Sequence, residues 1–100
     1  MTEYYILKGR KAIPVPVMKW AEWLENNRKI IEQTELSNGK FVSTVFLGLN
    51  HQFGVGKPLI FETMVFPKKG DWGELDMDRY STYKEAEEGH KLMVKKWKKK

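Results

Sequence analysis

The chain has 100 residues, 41% of them hydrophobic and 13% aromatic, which fits one folded domain with a modest core and excludes a disordered segment. It has no cysteine, which excludes disulfides and thiolate metal sites and fits a reducing compartment. The net charge of +5 does not belong to the body: residues 1–94 hold 13 Lys/Arg and 13 Asp/Glu, and the excess is Lys95, Lys96, Lys98, Lys99 and Lys100. Such a run reads as a solvated tail over 95–100, able to add only weak, salt-sensitive attraction to nucleic acid. The N-terminus MTEYYILKGRK lacks the basic start and apolar centre of a signal peptide. No apolar stretch approaches the ~20 residues of a membrane span, so no membrane partner is expected.

Tyr4 to Leu7 reads as a short strand and Lys8-Gly9-Arg10-Lys11 as a turn. Ala12 to Val15 is a return segment that Pro14 and Pro16 confine to a sheet edge or a connector. Pro16 suits the start of a helix, because the missing N–H would be unpaired there anyway. Val17, Trp20, Ala21 and Leu24 then recur at helical spacing up to Asn26 and Asn27, with Trp23 on the flank. Arg28 to Leu36 alternates as a strand. Asn38-Gly39 predicts a hairpin, since both residues tolerate positive φ.

Phe41 to Leu49 and Leu59 to Phe66 are nearly continuous apolar runs and read as central strands, joined by a loop over Asn50 to Pro58. Leu75 to Tyr80 reads as an optional edge strand after a polar turn. Thr82 and Glu85 form a capping box opening a last helix, on which Tyr83, Ala86, His90, Met93 and Trp97 share a face. Gly89 inside that helix predicts the close approach of a strand or a ligand. The order β-α-β-β-β-α, with four to five mainly antiparallel strands and both helices on one face, is an α+β two-layer sandwich over residues 1–94. The other sheet face keeps apolar residues, for which a partner subunit is the simplest cover, so a homo-oligomer is expected.

Polar residues placed within these apolar elements nominate the candidate site. Asn50 and His51 close one run, Glu62 and Thr63 interrupt the next, Arg79 and Tyr80 precede the last helix, and His90 lies on its apolar face. Arg79 with Ser81 and Thr82 at a helix start could cradle a phosphate or carboxylate, the alternative being salt bridges from Arg79 to Glu74, Asp76 or Asp78. Trp23, Trp72 or Tyr80 could stack on a base, whereas Tyr83 and Trp97 read as core. A His90–Glu62 pair is open to a structural and to an acid–base reading, yet Ser43 and Ser81 make weak nucleophiles. His51, Glu62 and His90 are metal-capable types without metal-site spacing, and no cofactor is expected. Gly54-Val55-Gly56-Lys57 is not a phosphate loop, because His51 and Pro58 stand where glycine and a hydroxyl residue are needed.

Ser43 to His51, Pro58 to Phe66, Arg79 to Thr82, Glu85-Ala86 and Gly89-His90 resemble a family of small proteins encoded by phages, prophages and some bacteria. The likeness runs from about Tyr4 to Val94 and departs in the lysine-rich end. It implies a phage context and action in the cytoplasm of a bacterial host. The leading expectation is a non-enzymatic protein that sequesters a small anionic, nucleotide-derived signal in a pocket of an oligomer. Arg79 would hold phosphate, Tyr80 would stack or hydrogen-bond, Glu62 and Asn50 would read base or ribose edges, and His90 would orient Glu62 or touch the ligand, with His51 beside them. The alternatives are a protein-interaction module, directed at a host defence protein or serving the virion, and a small hydrolase using His90 and Glu62.

Overall fold

The computed structural model describes residues 3–52 and 54–99, so Phe53 of the loop and Lys100 of the tail lie outside the described residues. The chain forms β1 (Tyr5–Lys8), β2 (Lys11–Pro14), α1 (Val17–Asn26), β3 (Ile30–Glu35), β4 (Phe41–Phe46), β5 (Phe61–Phe66), β6 (Asp76–Tyr80) and α2 (Tyr83–Trp97). β3-β4-β5-β6 is an antiparallel meander, and β1-β2 is a separate hairpin. The fold is the expected α+β sandwich, but among the described residues its six strands form two sheets where one sheet of four to five was expected, because β1 pairs with β2 and not with the meander. Pro14 ends β2 opposite Tyr5, so the strand ends where proline would otherwise interrupt it.

The capping box works in both directions. The Thr82 hydroxyl accepts from the Glu85 N–H, and the Glu85 carboxylate accepts from the Thr82 N–H. The last helix runs on through Lys95 and Lys96, so a boundary at Val94 cuts its final turn. Lys96 Nζ lies 2.7 Å from Asp76 Oδ2 and Trp97 Nε1 donates to the same oxygen at 2.9 Å. These two bonds hold the Asp76 carboxyl below its usual pKa.

Register decides which residues face α2. Val42 pairs with Val65, Thr44 with Thr63 and Phe46 with Phe61. Strand alternation puts all six on one face. That face has three layers. Leu36, Val42, Val65 and Met93 form one apolar cluster. Phe46, Ile60, Phe61 and Ala86 form the other, packed against the β1-β2 hairpin, Trp23, Tyr80 and Tyr83. Between them lies a polar layer of Thr44, Thr63 and His90, each no more than 1% exposed.

Helix α1 meets this core by a face rotated from the expected one. Trp23 sets its ring edge-on to Phe46 at 5.4 Å, while Val17 is 45% exposed. Of the expected face Trp20 and Leu24 are half-buried, with Trp20 5.0 Å from the Tyr4 ring, while Val17 and Ala21 are exposed; the contact to the core itself is aromatic. The opposite sheet face has no helix on it. It carries Phe41, Val45, Met64 and Phe66 by alternation, with Lys69 from the β5–β6 loop over the Phe41 ring.

Gly89 meets a strand residue: a Cβ there would overlap the end of the Tyr80 ring. Gly89→Ala is therefore expected to destabilise by about 1 kcal/mol, because overlap of about 1–3 kcal/mol outweighs the gain of roughly 1 kcal/mol in helix propensity. Urea unfolding checks this. In a Tyr80→Leu background the same change should become neutral or stabilising.

Candidate functional site

The structure divides the six nominated residues among three places. Tyr80 and His90 lie between the sheet and α2. Glu62 and Arg79 lie on the open sheet face. Asn50 and His51 lie in the β4–β5 connection. The expected His90–Glu62 pair does not form, because Glu62 neighbours Thr63 in β5 and so points to the opposite face. An acid–base mechanism joining the two is excluded by the intervening sheet.

His90 is held by hydroxyls. Its Nδ1 lies 2.7 Å from Thr44 Oγ1, its Nε2 lies 2.8 Å from Thr34 Oγ1, and Thr44 Oγ1 lies 2.5 Å from Thr63 Oγ1. The Glu32 carboxylate, 3.8 Å from Nε2, favours the proton on that nitrogen. Nε2–H then donates to Thr34, Thr44 donates to Nδ1, and Thr63 donates to Thr44. Burial lowers the His90 pKa below 6.5, with Glu32 opposing. The ring is thus a satisfied neutral core group with no face left for substrate. Of the three threonines only Thr63 stood out in the sequence, as an interruption of an apolar run; the frequency of threonine in strands gives Thr34 and Thr44 no distinguishing signal.

The end of the Tyr80 ring lies against Gly89, and Tyr80 lines a groove of about 380 Å³ along α2 together with Asp78, Glu85, Glu88, Leu92 and Lys96. Its hydroxyl is buried without a hydrogen-bond partner among the described residues. Burial raises its pKa, and the Thr63 hydroxyl opposes that shift without meeting hydrogen-bond geometry.

Arg79 does not reach the start of α2. Its Nε donates to Glu62 Oε2 at 3.0 Å on the open face, where Glu62 is 9% and Arg79 29% exposed in the side chain. The expected salt bridges to Glu74, Asp76 or Asp78 are replaced by this cross-strand pair, as the register Glu62↔Arg79 requires. The amides of Ser81 and Thr82 are already taken by Glu85 Oε1 at 3.3 and 3.1 Å. The expected phosphate cradle is therefore filled by the chain's own carboxylate. A groove of about 520 Å³ does join Ser81 and Thr82 to Lys8, Arg10 and Lys11, but Arg10 pairs with Glu87 at 3.4 Å.

Asn50 organises its loop. Its Oδ1 accepts from Gln52 N at 2.8 Å and from Leu59 N at 3.0 Å. This places His51 on the wall of a cleft of about 340 Å³ between α1 and the ends of β3 and β4. Trp20, Leu24, Ile30, Val45, Leu47 and Leu49 make the other walls apolar, and Lys29 stands at the margin. Neither the Lys29 ammonium nor the His51 ring has a hydrogen-bond or ion-pair partner among the described residues. Trp20 and Lys29 are the members the sequence analysis missed. Their signal was faint, because they lie in a helix and a connection far from His51 in sequence.

Among the described residues no group of three metal-capable side chains is close enough to hold an ion, and no helix is long and apolar enough to cross a membrane. No family model, curated protein or solved structure matches the chain.

Proposed function

We propose that this chain is a non-catalytic binding protein for a small anion with an apolar body, held in the cleft between α1 and β4. The supporting observation is the cleft itself. It falls within the ~300–1,000 Å³ of small-molecule sites, and its apolar walls carry a few polar groups, as such sites do. Apolar walls select a ligand with an aromatic or aliphatic body over bare phosphate, while Lys29 and His51 select a negative head. A nucleotide derivative with its base on the Trp20 side is one member of that class. In the phage setting that the sequence resemblance implies, a stoichiometric binder would act by removing a small signal from solution.

Thermal unfolding tests the proposal against nucleotides, cyclic oligonucleotides, ADP-ribose derivatives, aromatic carboxylates and anilinonaphthalene sulfonate. A ligand at about one hundred times its Kd adds about 2.7 kcal/mol, a rise of roughly ten degrees for a domain this small. We expect an apolar anion to give that rise and Lys29→Glu to remove it while leaving the unliganded Tm unchanged. A panel without any shift, or a shift that Lys29→Glu retains, would overturn the assignment.

A further inference from the structure

The open face of the four-stranded sheet carries a pattern that the ligand cleft does not use. Leu75 and Met77 are 42% and 37% exposed, and alternation places them with the half-buried Met64 and Phe66 on this one face, away from the Ile30 and Val45 edge that lines the cleft. Exposed apolar side chains gathered on one uncovered face mark an interaction surface. Beside them the Glu62–Arg79 pair is only half satisfied. Arg79 binds through Nε alone, and among the described residues neither its terminal nitrogens nor Glu62 Oε1 has a partner.

We infer that this face docks a second copy of the same chain. The argument is charge complementarity. A guanidinium and a carboxylate side by side form a motif that is its own complement about a two-fold axis, since a C2 interface places one patch against itself. The free edge of Arg79 in one copy then meets the free Glu62 oxygen of the other, and the apolar residues close around the pair. A foreign partner would have to carry that complement by design, whereas a second copy carries it by symmetry.

Size sets the strength. Four strands about 4.8 Å apart and about 20 Å long offer a flat face of roughly 400 Å², which side-chain relief enlarges. Doubled over two copies, that lies below the ~1,200–2,000 Å² of stable interfaces and in the range of weak, transient ones. The dimer is accordingly a weak one, populated only at high protein concentration.

Sedimentation equilibrium of the full chain from micromolar to millimolar concentration tests this. Wild type is expected to self-associate. Met77→Asp, at an exposed position, should weaken association at least about tenfold while leaving the thermal melt unchanged. Arg79→Glu should dissociate the dimer, and the double exchange Glu62→Arg with Arg79→Glu should restore it, because reciprocity survives the swap. Lys29→Glu should not affect association, so this inference and the ligand reading fail separately. A wild-type chain that stays monomeric at millimolar concentration would overturn the inference and leave the face to a foreign protein. Association that Met77→Asp leaves intact would also overturn it, by placing the contact elsewhere.

Discussion

His90→Ala is expected to lower stability by about 3–5 kcal/mol, enough to reduce the melting temperature by well over ten degrees. Two effects add. The ring is 1% exposed, so its removal leaves a cavity between the two apolar clusters. The fully buried Thr44 hydroxyl also loses its acceptor, at about 1–3 kcal/mol, whereas the partly buried Thr34 hydroxyl can turn to water. Thr44→Val should cost less, because it keeps the volume and strands only His90 Nδ1 and Thr63. The double variant should fall short of the sum, since both remove the same bond. Chemical denaturation of the four proteins gives that coupling directly.

The same ring makes stability depend on pH. Burial lowers the folded pKa below the ordinary 6.5, so the unfolded chain takes up the proton more readily. The contribution of His90 is fully present above pH 6.5 and is lost as pH falls through the interval down to the folded pKa. Wild type should lose stability over that interval relative to His90→Leu, which has no proton to gain. Equal slopes in the two proteins would remove the neutral-imidazole assignment.

Gly48→Ala carries the second large effect. Gly48 has φ +71°, and a Cβ would overlap the Trp20 indole and the Tyr5 carbonyl oxygen. Its own carbonyl accepts from Tyr5 N at 2.7 Å, so the residue joins the large sheet to the β1–α1 unit. The left-handed backbone costs about 1–2 kcal/mol without glycine, and overlap with fixed backbone adds about 1–3 kcal/mol. A total near 3 kcal/mol is expected, with residues 3–27 losing amide-exchange protection before the sheet does. Gly70→Ala separates the two terms. Gly70 has φ +88° but open space around it, so only the backbone part applies. If both variants lose the same stability, the tight junction at Gly48 is not what restrains α1. Because Trp20 lines the cleft, Gly48→Ala should also weaken the ligand binding proposed there.

The elements were legible because each has a local cause. Pro16, Asn38-Gly39 and the Thr82–Glu85 box mark their boundaries chemically, and α2 shows its buried stripe at helical spacing. The site was less legible because a strand's two faces are distinguished only by register. Alternation alone separates Glu62 from Thr63 and Arg79 from Tyr80, so the six residues could not all share one side of a sheet. Which member of each pair turns toward α2 depends on partners in other strands. A run as apolar as Phe61–Phe66 hides that parity, since both of its faces are hydrophobic. His90 showed its burial but not its bonding, because its partners Thr34 and Thr44 precede it by 56 and 46 residues.

That separation has a consequence for how the chain assembles. A meander of apolar strands can slide by two residues and still bury an apolar side chain against α2, so burial alone discriminates poorly between alignments. In the native alignment the two central threonines sit side by side under one imidazole. After a two-residue slip of β4 against β5, Thr44 would face an apolar neighbour, and a hydroxyl would be sealed in without its bond. The helix that brings the imidazole follows all six strands in the chain. Docking of α2 therefore penalises the slipped alignments, which burial alone would tolerate. His90→Ala should accordingly reach a sheet-rich state that exchanges among alignments, seen as lowered amide-exchange protection in β4 and β5.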